Sequence, residues 1–143
     1  MMVKQISVFL ENKRGRIYRV SKALAAEGIN IRALSIADTS AFGILRLIVD
    51  APERALTVLQ NANITAKISQ VIAVEVADVP GGMEKILSVI EGADINLEYL
   101  YAFLGRKSED AILIFQVENP QKAIETLQAA GVRLVEGKEL YEL

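Results

Sequence analysis

Two short segments combine residue types that suit binding better than reaction. The first reads Glu11-Asn12-Lys13-Arg14-Gly15-Arg16-Ile17 and the second Ala77-Asp78-Val79-Pro80-Gly81-Gly82-Met83. Each follows a run with strand-like alternation and opens a helical pattern. A glycine at a strand-to-helix turn lets the backbone approach a ligand, and the helix start offers unpaired N–H groups with partial positive charge that suit a carboxylate or phosphate. Asn30 and Asn96 open the next β-rich run of each half, and the reading places them beside the loops, across the sheet end. An amide donates and accepts at once, which suits a zwitterion. Gly and Asn are also ordinary turn residues and occupy such positions without any ligand.

The first loop is positive, with Lys13, Arg14, Arg16 and Arg19 opposed only by Glu11. Such a cluster can engage a carboxylate by charge-assisted hydrogen bonds, although most of it reads as a solvated rim with one arginine at best in contact. Tyr99, Tyr101 and Phe103 alternate and so share one face of a strand. They either line an aromatic pocket or pack in a core or interface, and packing is the favoured reading. Glu109 and Asp110 fall in a hairpin loop, where carboxylates are solvated.

What is missing narrows the chemistry further. The 143 residues include no Cys and no His, and Trp is also absent. Thiolate nucleophiles, disulfides, cysteine metal sites and imidazole bases or ligands are therefore excluded. Sixteen basic against eighteen acidic residues give a net charge of −2, so no global positive field draws the chain to nucleic acid or anionic lipid. Charges interrupt every apolar stretch well short of the roughly 18–20 residues that span a bilayer, and the N-terminal residues lack a signal-peptide pattern. The expectation is a soluble, cytoplasmic protein without membrane contact.

The elements that must position these loops recur. Gly15 matches Gly81 and Ile29-Asn30-Ile31 matches Ile95-Asn96-Leu97, at an offset of 66. Pro52 matches Pro120, and Ala55, Leu56 and Leu59 match Ala123, Ile124 and Leu127, at an offset of 68. The two extra residues are expected within residues 105–110. Gln5 to Leu10 alternates as a strand, and Ile17, Val20 and Leu24 recur at helical spacing before a stop at Gly28. Residues 30–38 and 42–50 read as a hairpin, Pro52 opens a second helix, and 64–68 and 132–135 close the halves as short strands.

Each half is thus βαββαβ, which makes a ferredoxin-like antiparallel sheet with both helices on one face. The fold class is α+β, with two such units in tandem, residues 1–69 and 70–143, joined edge to edge. On the helix-free face, Phe9, Ile44, Ile48, Ile112 and Ile114 are more apolar than solvent favours. A second copy of the chain is the simplest cover, giving a homodimer.

Asp78-Val79-Pro80-Gly81 closing a strand, then a helix, then Ile95-Asn96-Leu97, resembles the ACT domain, a small-molecule-sensing module of amino-acid metabolism. Asn12-Lys13-Arg14-Gly15-Arg16-Ile17 followed by Gly28-Ile29-Asn30-Ile31 repeats the pattern, so the resemblance spans essentially the whole chain. It is nearest to stand-alone proteins made of two ACT domains. The resemblance implies an amino-acid ligand held where the first loop meets the second strand of a neighbour, at a domain or subunit interface. Carried over residue by residue, the ligand-binding set is Asn12, Arg14, Gly15, Arg16, Ile17, Asn30 and Ile31 in the first half. In the second it is Asp78, Pro80, Gly81, Gly82, Met83, Asn96 and Leu97. Arg14 stands where the pattern has Pro, and Asn12 where it has Asp, so the two sites need not be equivalent.

Three classes of function compete. A non-catalytic regulatory protein that senses an amino acid, needs no cofactor or metal and acts on a partner enzyme of amino-acid metabolism fits best; its alternative is an assembly module without a ligand. An enzyme would have to rely on Asp, Glu, Lys, Tyr or Ser, and no carboxylate pair or Ser/Lys arrangement recurs at the loops. RNA-binding sheets of the same order carry stacking aromatics on the third strand, whereas Gly43-Ile44-Leu45-Arg46-Leu47-Ile48 has none.

Overall fold

A computed structural model describes residues 2–11, 13–38, 42–104 and 110–143. By its contacts the chain divides into two units, one of Lys4–Ser69 and one of Gln70–Leu143 with Met1–Val3. The first unit holds β1 (Val3–Glu11), α1 (Arg16–Ala26), β2 (Ile31–Asp38), β3 (Phe42–Val49), α2 (Pro52–Asn61) and the opening residues of β4 (Ala66–Val76). Its strand order is β2-β3-β1-β4, with β3 antiparallel to both β1 and β2. Two strands antiparallel to the same neighbour run parallel to each other, so β1 and β2 end at the same edge of the sheet.

Alternation along β1 sends Ile6, Val8 and Leu10 to the helix side, where they pack with Val20 and Leu24 of α1 and with Ala55 and Leu59 of α2. Leu45 and Leu47 of β3 join them. The opposite parity of β1 puts Gln5 and Ser7 on the other face, and both are buried. Their polarity is satisfied locally: the Gln5 amide donates to Ser7 Oγ at 3.3 Å, and Ser7 Oγ meets Ser69 Oγ at 3.1 Å.

The second unit repeats the plan with the rest of β4, α3 (Gly82–Gly92), β5 (Leu97–Leu104), β6 (Ala111–Val117) and α4 (Pro120–Ala129), in strand order β4-β6-β5. Val74, Val76, Ile86, Ile90, Leu113 and Leu127 are among its core residues. The closing strand expected over residues 132–135 is reduced to one antiparallel bridge, Val74 with Leu134. The Glu75 N–H donates to Arg133 O at 2.9 Å and the Val135 N–H to Ala73 O at 2.8 Å, after which the chain turns into an unanticipated short helix, α5 (Gly137–Tyr141). Arg133 reaches both Glu75 at 2.9 Å and Glu139 at 2.7 Å, tying the bridge to that helix.

The expected cover of the helix-free sheet face needs correction. Ile48, Ile112 and Ile114 are all buried within the single chain, and only Phe9 of the apolar set stays largely exposed, at 44%. Their burial therefore gives no reason for a second copy. No helix among the described residues is long and apolar enough to cross a membrane.

Candidate ligand site

The two strand-to-helix loops share one hydrogen-bond pattern. In the first, the Lys13 N–H donates to Glu11 O at 2.7 Å, Arg16 N–H to Lys13 O at 3.4 Å and Arg19 N–H to Gly15 O at 3.0 Å. In the second, Val79 N–H donates to Ala77 O at 2.9 Å, Gly82 N–H to Val79 O at 3.0 Å and Lys85 N–H to Gly81 O at 3.2 Å. Gly15 and Gly81 are the helix N-caps, with φ of 85° and 86°. A residue with a Cβ is strained in that region, so glycine is what the turn requires. No side chain caps either helix, so the first-turn amides of Ile17 and Tyr18, and of Met83 and Glu84, have no side-chain acceptor.

Beside the first loop lies a cleft of about 310 Å³. It is lined by the polar Glu11, Lys13 and Arg16, the apolar Leu10, Ile17 and Ile36, and Gly43. Glu11 accepts from Lys13 at 2.9 Å and lies 3.4 Å from Arg16. The hydrogen bond from Lys13, followed by the charges of Lys13 and Arg16, holds the Glu11 carboxyl below the usual glutamate range. Two cations thus share one carboxylate, leaving a net positive charge in a cleft also lined by aliphatic side chains. That combination suits a small molecule with an anionic head and an apolar or mixed side chain.

Of the residues read from the sequence, Arg16 and Ile17 line this cleft, and Gly15 shapes its loop. Arg14 is exposed beside it, and Asn12 lies outside the described residues. Arg19 turns elsewhere, donating to the Ala62 carbonyl at the end of α2. Lys13, Ile36 and Gly43 were absent from the predicted set. The register that pairs Leu10 with Gly43, together with the parallel run of β1 and β2, brings the end of β2 to the loop.

The same register corrects the placement of Asn30 and Ile31. They begin β2 at the other end of the sheet, where Asn30 N–H donates to Asp50 Oδ1 at 3.0 Å and Asn30 O accepts from Asp50 N–H at 3.2 Å. Asn96 repeats this position, its carbonyl accepting from Glu118 N–H at 3.0 Å, and Leu97 follows half-buried. The 11 residues of α1 carry the chain roughly 16 Å back along the sheet before β2 starts. Within one unit, the loop and its asparagine therefore do not meet.

In the second loop Asp78, Pro80, Gly81 and Met83 are exposed, whereas Gly82 is buried. A Cβ on Gly82 would fall 2.0 Å from Ala77 O, so α3 starts closer to its strand than a side chain permits. Tyr99 is half-buried and donates to Gln116 Oε1 at 2.8 Å, a packing position. The Phe103 side chain and residues 105–109, including Glu109 and the expected insertion, lie outside the described residues. Among the described residues no group of three or more carboxylates gathers to hold a cation.

The sequence matches the family profile described as an ACT domain pair over residues 1–143. A protein of Bacteroides thetaiotaomicron of known structure is 37% identical, with a TM-score of 0.94 over 100% of this chain and 98% of that one. The ligand-free regulatory subunit of aspartate kinase from Thermus thermophilus is 20% identical, with a TM-score of 0.62 over 89% of this chain and 91% of that one. The corresponding Thermus flavus subunit is 18% identical, with a TM-score of 0.59 over 90% and 92%. These two share the fold. No functionally curated protein matched the sequence.

Proposed function

The chain belongs to the ACT-domain family as a pair of ACT domains, and from that premise we propose that it is a non-catalytic regulatory protein that binds a free amino acid at the β1–α1 loop. The observation that carries this reading is the cleft beside the first loop, lined both by the cations Lys13 and Arg16 and by the aliphatic Ile17 and Ile36. The amino acid's carboxylate meets the cations and the uncapped first-turn amides of Ile17 and Tyr18, and its side chain lies on the isoleucines. Glu11 is exposed and lines the same cleft, where its carboxylate receives the ammonium group.

Asn30 enters through a second copy. β2 is an edge strand, and two β2 edges meeting antiparallel set the start of one beside the end of the other. One copy's Asn30 then approaches its neighbour's loop, so the site is completed in a homodimer. Asn96, with Gly81 and Met83, forms the corresponding set in the second unit. Ligand occupancy biases the assembly between two states, which a partner enzyme of amino-acid metabolism reads in the cytoplasm.

The test is a thermal-shift screen of the purified protein against the twenty amino acids. A ligand that binds only the folded form adds RT ln(1 + [L]/Kd), about 2.7 kcal/mol at 100 times Kd. A selective rise in Tm that Arg16→Ala diminishes supports the reading. No response to any of the twenty overturns it.

A further inference from the structure

The repeat carries a second groove in each unit, on the side of the first helix that faces the end of the second. In the first unit it is bounded by Leu10, Glu11, Arg16, Arg19 and Asn63 and encloses only about 100 Å³. In the second unit the equivalent positions are Val76, Ala77, Gly82, Lys85 and Gly131, and the groove opens to about 390 Å³. Every one of these five exchanges shortens or removes a side chain. Gly82 has a reason of its own, since the loop excludes a Cβ there. Gly131 has no such reason: its φ of 77° matches the left-handed conformation that Asn63 adopts at 58°, and a Cβ on it would meet nothing within 4 Å.

The cations at the helix wall also behave differently. Arg19 lines the first groove and donates to the Ala62 carbonyl, so its guanidinium is committed to the protein's own backbone. Lys85, its equivalent, has no ion-pair or hydrogen-bond partner for its ammonium among the described residues. The anions of the second groove are committed: Glu75 is bound by Arg133 at 2.9 Å, and Asp110 is partnered as well. What remains is one uncommitted positive charge above a surface built from Val76, Ile86, Val89 and Val132.

We propose that this groove of the second unit is a binding site for a small aliphatic monocarboxylate, whose carboxylate pairs with Lys85 and whose branched tail lies on the valines and Ile86. A zwitterionic amino acid fits less well, because Glu75 is largely buried and held by Arg133 and Asp110 is already partnered, so its ammonium must compete for an acceptor. The volume is in the range of small-molecule sites, and the lining mixes apolar walls with four charged residues, Glu75, Lys85, Asp110 and Arg133, of which Lys85 is the one left to orient a ligand. The site is independent of the cleft beside the first loop.

The experiment is a titration of the ¹⁵N-labelled protein with isovalerate, followed by amide chemical shifts, with isoamyl alcohol and leucine as controls. Saturable shifts at Ala77, Val79, Lys85 and Val132 are expected, with weaker responses to the alcohol and to leucine. Lys85→Met raises Kd about tenfold or more, while Lys85→Arg retains the charge and most of the affinity. Gly131→Asn, which copies the first unit's residue in the same backbone conformation, narrows the groove and weakens binding without unfolding the unit. Absence of saturable shifts in the wild type overturns the site, as does affinity unchanged by Lys85→Met. Shifts confined to Lys13, Arg16 and Ile17 would overturn it too, while leaving the first cleft as a binding site.

Discussion

Gly15 and Gly81, one repeat apart, adopt the same left-handed backbone, φ 85° with ψ 0° and φ 86° with ψ −5°, each as the residue that starts its helix. Their neighbours have diverged from Arg16 to Gly82, and the looser 3.4 Å contact from Arg16 N–H to Lys13 O, against 3.0 Å from Gly82 N–H to Val79 O, occurs where a Cβ has to be accommodated. The duplicated loop thus keeps its turn and changes its surface.

The two glycines of the second loop predict different costs. A Cβ on Gly81 meets nothing within 4 Å, so Gly81→Ala pays only for the left-handed backbone, about 1–2 kcal/mol. Gly82 is helical, but its Cβ would meet Ala77 O at 2.0 Å, and the loop must move to admit it. Urea unfolding is expected to rank Gly82→Ala as the more damaging substitution. The reverse order would mean that the helix does not start so close to its strand.

The Glu11 carboxyl sets a pH dependence with a definite sign. Its hydrogen bond from Lys13 and the charges of Lys13 and Arg16 lower its folded-state pKa below that of the unfolded chain. The associated stabilisation is therefore present above the unfolded-state pKa and is lost as pH falls through the folded-state one. Glu11 is fully exposed, so the effect on unfolding is small and fades with salt. Carboxyl NMR titration is expected to give a midpoint for Glu11 below the ordinary glutamate range, moving up in Lys13→Ala. An unchanged midpoint in that variant would remove Lys13 as the cause.

Leu59 and Leu127 occupy matching core positions on the second helix of each unit, both with no exposure. Leu59→Ala and Leu127→Ala are each expected to cost about 2–5 kcal/mol, through lost burial and the cavity left behind. Denaturant unfolding that finds either one neutral would contradict the packing of α2 or α4 on its sheet.

The repeat, the element order and the loop glycines were legible because each rests on local pattern: alternation, helical spacing, and a residue that alone tolerates the turn. The partner of the loop was not. Asn30 follows α1 in sequence, but the helix returns the chain to the far end of the sheet, so the residue beside the loop is Ile36, at the end of β2. Which strand ends meet depends on register across β3, which no single segment encodes. The apolar pattern of the sheet face signals cover, but Ile48, Ile112 and Ile114 find it within one chain while Phe9 stays exposed. Helix α5 escaped notice because Gly137–Tyr141 is too short to show a period. The expected strand beside it dwindled to the bridge at Leu134.

The second helices differ at one capping position, and the difference can be exchanged. Asn119 precedes Pro120 with φ −126° and ψ 88°, and its side chain accepts from Lys122 N–H at 3.2 Å. Ala51 precedes Pro52 with a similar backbone, φ −140° and ψ 77°, but has no side chain to cap the helix. An N-cap of this kind contributes about 0.5–2 kcal/mol. Asn119→Ala is therefore expected to lower stability by about that amount, and Ala51→Asn to raise it by offering an acceptor to the Arg54 N–H. Glu53, already in the first turn of α2 and paired with Lys4, is unaffected by the exchange and keeps the helix start electrostatically favourable in both proteins. Urea unfolding of the two variants and the wild type measures both effects. Stabilisation by Ala51→Asn would show that the first unit lacks only the capping oxygen, whereas no change would mean that its 14° difference in φ already carries that oxygen out of reach.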